Sequence, residues 1–322
     1  MPNSVNIQPL FLEHVRGKLP EHVSFPDELA EVLNISRDSA YRRIRGETIL
    51  SLEEVRVICS HYKISLDTVL STTPEVVSFN HRVVNDSTFT IHDWLVSIRK
   101  NLEMILQFPQ RELIYCAKDI PMFHYFHFPE LAAFKLYFWM KEYHRYPQYQ
   151  KVAFKPEVIP VETMNEGKAI TSYYSQIPSI EIWSDEIANV TVRQIEYALE
   201  SGFLDEAQAK QLLQKFLDLL ELLKHFAADG SKSGQGQNYT LYKNEILIAD
   251  TTLLFKMGEK RVTFITYNTM NILTTSEEGF CGQMESYLNN VMNKSILISQ
   301  TGERERNKFF NRIVEPLRKR IG

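Results

Sequence analysis

Cysteine is scarce in this chain. Its 322 residues include Cys59, Cys116 and Cys281. Three widely separated thiols give neither a disulfide framework nor the paired spacing of a zinc site. Long apolar runs are missing too. No stretch approaches the roughly 18 apolar residues of a membrane-spanning helix. The opening, MPNSVNIQPLFLEHVRGKLP, has no basic segment leading into an apolar core, so no secretory signal is expected. Positive charge is not in excess: 36 Lys and Arg stand against 40 Asp and Glu, a net charge of −4. A uniformly basic nucleic-acid coat is thereby excluded, and any contact with nucleic acid must be a local patch. The phosphate-cradling loop G-x-x-x-x-G-K-[ST] is absent. Lys232 in GSKSGQGQN has the wrong spacing and follows a helical stretch, so this segment reads as a flexible linker. No internal repeat is found. No Ser/His/Asp, Cys/His or paired-carboxylate set stands out by spacing, so the chain is not read as an enzyme and implies no cofactor. The default compartment is the cytoplasm.

What is present is a globular composition, 44% hydrophobic and 24% charged, long enough for two domains. Residues 8 to 70 read as five short helices. LFLEHVRGKL puts Phe11, Leu12, Val15 and Leu19 on one face, and FPDELAEVL turns Leu29, Ala30 and Leu33 inward. Asn34 suits a left-handed turn. Ser36 can cap the next helix and Gly46 end it. Ser51 and Glu54 have the spacing of a capping box. Leu52, Val55, Ile58, Cys59 and Tyr62 form the stripe of a fourth helix, and SLDTVL begins a fifth.

The third helix concentrates charge. Four arginines, Arg37, Arg42, Arg43 and Arg45, fall within nine residues. Two short helices joined by a tight turn form a helix-turn-helix unit, whose second helix lies in the DNA major groove. With Ala40 and Ile44 inward, Asp38, Arg42 and Arg45 face out, Tyr41 and Arg43 flank them, and Arg37 sits in the first turn. Arginine's planar fork matches two acceptors on the guanine edge. Ser36, Arg37, Asp38, Tyr41, Arg42, Arg43 and Arg45 are therefore the candidate DNA-binding residues. The alternative is a solvated helix face on a protein-interaction domain, since arginine is a good helix former.

The stretch ELAEVLNISRDSAYRRIRGETILSLEEVRVICSHYKISLDTVL resembles the Xre/Cro-like, phage-repressor-type helix-turn-helix domain. The matching features are Glu28-Leu29-Ala30, Ile35-Ser36, Arg45-Gly46, and the helix starts SLEEV and SLDTVL. The resemblance spans about residues 8 to 70, a fifth of the chain. It departs from the pattern at Asn34, where the family usually has glycine, and at Arg43, which takes an apolar position. It implies a double-stranded DNA partner and a homodimer that reads two half-sites. Residues 1 to 72 hold ten acids and eight bases, so binding would depend on local geometry more than on a broad field.

The rest of the chain reads as a linker over residues 73–88, carrying at most one strand, and an α+β domain over 89–322. The overall class is thus mainly α with an α+β C-terminal domain. TIHDWLVSIRKNLEMILQF is helical, RELIYCAK a buried strand, and PSIEIW a short strand. Helices fit residues 184–201 and 205–228. Three β-rich runs from Thr240 to Ser276 predict an antiparallel meander. Leu212, Phe216, Leu219, Leu223 and Phe226 have coiled-coil spacing and fit either a core or a dimer seam. His124, His127 and His144 lie among aromatics, which suits a pocket wall better than a metal site. Phe123, Tyr125, Phe126, Phe128 and Trp139 are the candidate wall of a pocket for a small-molecule effector, the alternative being a rigid aromatic core. The reading reached is a DNA-binding transcriptional regulator with a ligand-sensing or dimerisation domain. The alternatives are an enzyme or an interaction scaffold that carries the same helical module.

Overall fold

The computed structural model describes residues 7–17, 19–20, 23–66, 76–85, 87–234, 236–246, 248 and 250–321. The chain divides into two compact units, Met1–Ser78 and Phe79–Gly322.

The first unit is helical: α1 (Ile7–Arg16), α2 (Phe25–Leu33), α3 (Arg37–Ile44) and α4 (Leu52–Tyr62). The expected fifth helix falls largely on residues 67–70, which lie outside the described residues. Local signals set the ends of the others. Asn34 closes α2 at φ 52°, and Gly46 follows α3 at φ 76°. The Ser36 side chain caps α3 by accepting from Ser39 N–H at 3.2 Å. Ser51 and Glu54 form a full capping box on α4. Phe11, Leu12, Val15, Phe25, Leu29, Ala40, Leu50, Ile58 and Ile64 make a single apolar core. Gln8 ties α1 to the loop beyond α3. Its amide donates to Arg43 O and Thr48 O, and accepts from Leu50 N–H, each at 2.8 Å.

The second unit is built on an open eight-stranded sheet in the order β1-β7-β6-β5-β2-β3-β4-β8. These strands are β1 (Asn80–His81), β2 (Arg111–Ala117), β3 (Ser179–Ser184), β4 (Tyr239–Asn244), β5 (Thr252–Met257), β6 (Lys260–Tyr267), β7 (Asn271–Thr275) and β8 (Ile296–Leu297). Helices α5 (Ile91–Leu106), α6 (Pro129–Phe138), α7 (Val161–Ser175), α8 (Asn189–Glu200), α9 (Glu206–Asp229), α10 (Glu278–Asn293) and α11 (Glu303–Ile321) complete it.

Three features sharpen the reading of this unit. First, β2, β3 and β4 run parallel, so the unit is a mixed α/β domain with helical crossovers beside its antiparallel strands. The meander is real but covers β5, β6 and β7. The β4 and β5 segments, contiguous in sequence, lie apart in the sheet because β2 and β3 intervene. Second, the end of the expected linker belongs to this unit. Asn80 and His81 pair with β7, and Val84 N–H donates to Asn271 Oδ1 at 3.0 Å. Residues 73–75 lie outside the described residues. Third, the leucine-rich face of α9 is core. Leu212, Phe216, Leu219 and Leu223 are buried, and the helix packs on α11, which leaves this seam no free surface for a dimer.

Strand alternation separates two cores. Leu113, Tyr115 and Ala117 of β2 face the larger one. Ile114 and Cys116 face a smaller one with Ile182, Leu254 and Leu288, covered by α10.

Candidate functional site

In the first unit, α3 carries the candidate DNA-binding residues. Its register turns Ala40 fully inward and Ile44 against the core. Ser36, Arg37, Asp38, Tyr41, Arg42 and Arg45 are all exposed. Three of the arginines hold nearby carboxylates: Arg37 Nε lies 2.8 Å from Asp27, Arg42 3.1 Å from Asp38, and Arg45 2.9 Å from Glu47. Exposed pairs of this kind contribute at most about 1 kcal/mol, so they leave the guanidinium groups free to exchange partners.

Arg43 behaves differently. It turns inward, donates to Glu54 Oε1 through Nε and Nη2 at 3.0 and 2.6 Å, and reaches Ser39 O at 3.2 Å. Glu54 also accepts from Ser51 N–H, so one carboxylate joins α3 to the cap of α4. Arg43 guanidinium holds the Glu54 carboxyl below its usual pKa. The structure thus gives Arg43 an internal role, because it stands at a position where the helix faces the core. Arg43→Ala is expected to destabilise the first unit by about 2 kcal/mol, the scale of hydrogen bonds to a charged group. Amide exchange along α3 and α4 in the full chain measures this. Unchanged protection in both helices would show the pair to be dispensable.

The second unit carries a half-open cavity of about 720 Å³, within the usual range for small-molecule sites. Period-two alternation builds its floor: Tyr115 of β2, Leu253 and Phe255 of β5, Phe264 and Thr266 of β6, Ile272 and Thr274 of β7. Helix α5 roofs it with Trp94, Ser97, Ile98, Asn101 and Leu102, a single stripe at helical spacing. Thr90 and Asp93 start that helix with a reciprocal capping box. At one end stand Lys118 and Asp119, just past the carboxyl end of β2. This strand has a parallel neighbour on one side and an antiparallel one on the other. Such a change of direction at strand ends is where open sheets commonly leave a crevice.

A π-helical turn, Trp139–Tyr143, follows α6 and brings Trp139 and Tyr143 to the cavity wall. Turns of this type recur at functional sites. Trp139 meets Trp94 edge to face at 6.2 Å. Trp139 Nε1 is buried with no hydrogen-bond partner among the described residues.

Polar groups converge behind this end of the cavity. Lys135 of α6 is 1% exposed, and its Nζ donates to Asp119 Oδ2 at 2.7 Å, Gln194 Oε1 at 2.7 Å and Thr191 Oγ1 at 3.1 Å. Burial pushes the Lys135 ammonium below its usual pKa, while the Asp119 carboxylate pulls it back up. Asp119 Oδ1 accepts from Ile120 N–H at 2.9 Å and from one hydroxyl of the Tyr125–Thr191 pair, whose oxygens lie 3.1 and 3.3 Å from it and 2.6 Å from each other.

Of the expected pocket wall, Phe123 and Trp139 line the cavity. Tyr125, Phe126 and Phe128 do not, because helical turns send consecutive side chains in different directions. Tyr125 is buried against Phe216 with its hydroxyl on Thr191. Phe126 packs onto Gly167 of α7, and Phe128 lies against the large core. Sequence reasoning missed Trp94, Tyr115, Asp119, Lys135 and Gln194. One signal was available for Lys135: a lone cation inside AAFKLYFW, a stretch apolar on every side.

The histidines have other roles. His124 Nε2 lies 2.7 Å from Glu181 Oε1 in a buried cluster apart from the cavity. Glu181 accepts there from Tyr174, Trp183 and Tyr239 as well. Lys232, expected in a flexible linker, enters this cluster. Its Nζ donates to Ile177 O at 2.7 Å and Ser179 Oγ at 2.6 Å, and burial pushes its pKa down to about 7. Among the described residues no group of three or more His, Cys, Asp or Glu could hold a metal ion, and no helix is long and apolar enough to cross a membrane. Comparison of the chain with family models, curated proteins and solved structures finds no match.

Proposed function

We propose that this chain is a sequence-specific DNA-binding transcriptional regulator of the Xre/Cro-like type, with a small-molecule sensor in its second unit. The observation that carries the DNA reading is the exposed face of α3. Arg37, Asp38, Tyr41, Arg42 and Arg45 point out together from a short helix that a tight left-handed turn at Asn34 joins to α2. This is the arrangement of a reading helix. The ligand reading is supported by the aromatic cavity of the second unit. In this proposal the protein works in the cytoplasm as a homodimer. Pairing two modules supplies affinity that one short helix lacks.

Selection of bound sequences from random double-stranded DNA by the full-length protein tests the reading. A shared motif with two half-sites about one helical turn apart is the expected result. Arg42→Ala is expected to weaken binding to that motif by about 1–3 kcal/mol and to relax preference at one base pair. An unselected pool, or an Arg42 variant with unchanged affinity and preference, would remove α3 as the reading element.

A further inference from the structure

We infer that the cavity of the second unit takes an aromatic molecule that enters with a hydrogen-bond acceptor, a carbonyl or carboxylate oxygen, leading toward Gln194 and Trp139. This rests on reading the second unit as a ligand-binding one and is independent of DNA binding. The body of the cavity is set by Trp94, Tyr115, Phe123, Phe255 and Phe264, whose rings leave room for a flat apolar molecule. The end of the cavity decides polarity.

An amide side chain can face either way, and here its orientation is fixed. Lys135 Nζ donates to Gln194 Oε1 at 2.7 Å, so the carbonyl of Gln194 points to the buried ammonium. Its Nε2 is turned the other way, toward Tyr143 Oη at 3.4 Å, which is too long to use up the donors. Both residues line the cavity. Trp139 adds a second N–H. It is buried, it has no partner, and its ring centre lies 5.5 Å from the same Lys135 Nζ. The second N–H of Gln194 and the N–H of Trp139 are thus grouped around one lysine.

The acceptor on this wall, Asp119, is already occupied. Lys135 Nζ holds Oδ2, while Oδ1 takes Ile120 N–H and one O–H from the hydrogen-bonded Tyr125–Thr191 pair. At this wall an incoming ammonium would therefore meet N–H groups with a lysine behind them, while an incoming oxygen would accept from the second N–H of Gln194. Discrimination of this kind comes from the unpaired or mismatched polar group as much as from the new bond.

The test is calorimetric titration of the full-length protein, without DNA, with three probes of one shape: cinnamate, the neutral ketone benzylideneacetone, and cinnamylamine. Binding of cinnamate or the ketone at least about tenfold tighter than the amine is the expected result. Two variants locate the contact. Gln194→Glu keeps the shape and the bond to Lys135 but replaces the donor by an acceptor. Trp139→Phe keeps a ring and removes the N–H. Each is expected to weaken the preferred probe about tenfold while the amine gains or stays level. Should Gln194→Glu fold poorly, Trp139→Phe decides alone. Equal or tighter binding of the amine overturns the inference, as does no heat from any probe at about 1 mM. Probe binding together with an unselected DNA pool would sink the DNA reading and leave this one standing. A selected motif with no probe binding would do the reverse.

Discussion

Glu181→Ala is expected to cost about 3–5 kcal/mol of folding stability, the scale for stripping one partner from a buried charged network. Glu181 sits in the middle of β3 with no exposed surface. Its Oε1 accepts from His124 Nε2 at 2.7 Å and from Tyr174 O–H. Its Oε2 accepts from Trp183 Nε1 at 2.9 Å and Tyr239 O–H at 3.2 Å. Lys232 closes the cluster from the other side, with its Nζ 3.8 Å from the Tyr174 ring centre. Burial raises the Glu181 pKa, while His124, the Tyr174 hydrogen bond and Lys232 lower it, and the outcome lies below the ordinary carboxylate value. Removing the carboxylate leaves four donors without an acceptor and Lys232 without its nearest counter-charge. Glu181→Gln keeps one oxygen and the shape, so it should cost less. Urea unfolding of both variants is the measurement. Equal stability of wild type and Glu181→Ala would mean that the cluster contributes nothing net.

Phe126→Ala is the second large effect, expected at about 3–5 kcal/mol. Phe126 is buried outside the cavity, and its ring lies where a Cβ on residue 167 would be. Gly167 is therefore required on α7: it is the recess that receives the ring. Truncating Phe126 opens a void between the segment before α6 and the face of α7, and two packed helices cannot both move in to fill it. The melting temperature should fall while the affinity of the cavity for its probes is unchanged. A loss below about 1 kcal/mol would show that the site collapses around the smaller side chain.

The first unit was legible because its signals are local. Ser36, Asn34, Gly46 and the Ser51–Glu54 box each act within four residues, and each stands where the sequence puts it. Arg43 was not legible in the same way. Its charge placed it among the candidate DNA-binding residues, and its partner Glu54 lies on the next helix. In the second unit the individual strands could be read from period two, but their order could not. TLYKNEILIADTTLLFKM holds two strands with β2 and β3 between them, and nothing local in the run says so. Helix α7 went unread for a different reason. Its buried positions are Thr163, Gly167, Ile170 and Tyr174, so only one of four is aliphatic and the stripe does not look hydrophobic. The cavity lay furthest from view. Its floor comes from β2, β5, β6 and β7 and its polar end from α6 and α8, elements whose meeting depends on the whole sheet.

The strand order also fixes a sequence of events during synthesis. The first unit is made from contiguous helices, and its core is complete once residue 64 is out. The second cannot close in chain order. β1 is the first of its strands to be made, yet it pairs with residues 273 and 274. β2 has one edge open until residues 252 to 257 arrive. A ribosome-bound chain of 250 residues therefore carries a finished helical unit and a sheet with an unsatisfied central strand. Non-local pairing of this kind is slow and exposes strand edges meanwhile. Truncations that end before β5 should yield a soluble helical unit attached to an aggregating remainder, whereas a cut near residue 78 separates two parts that each hold their own core.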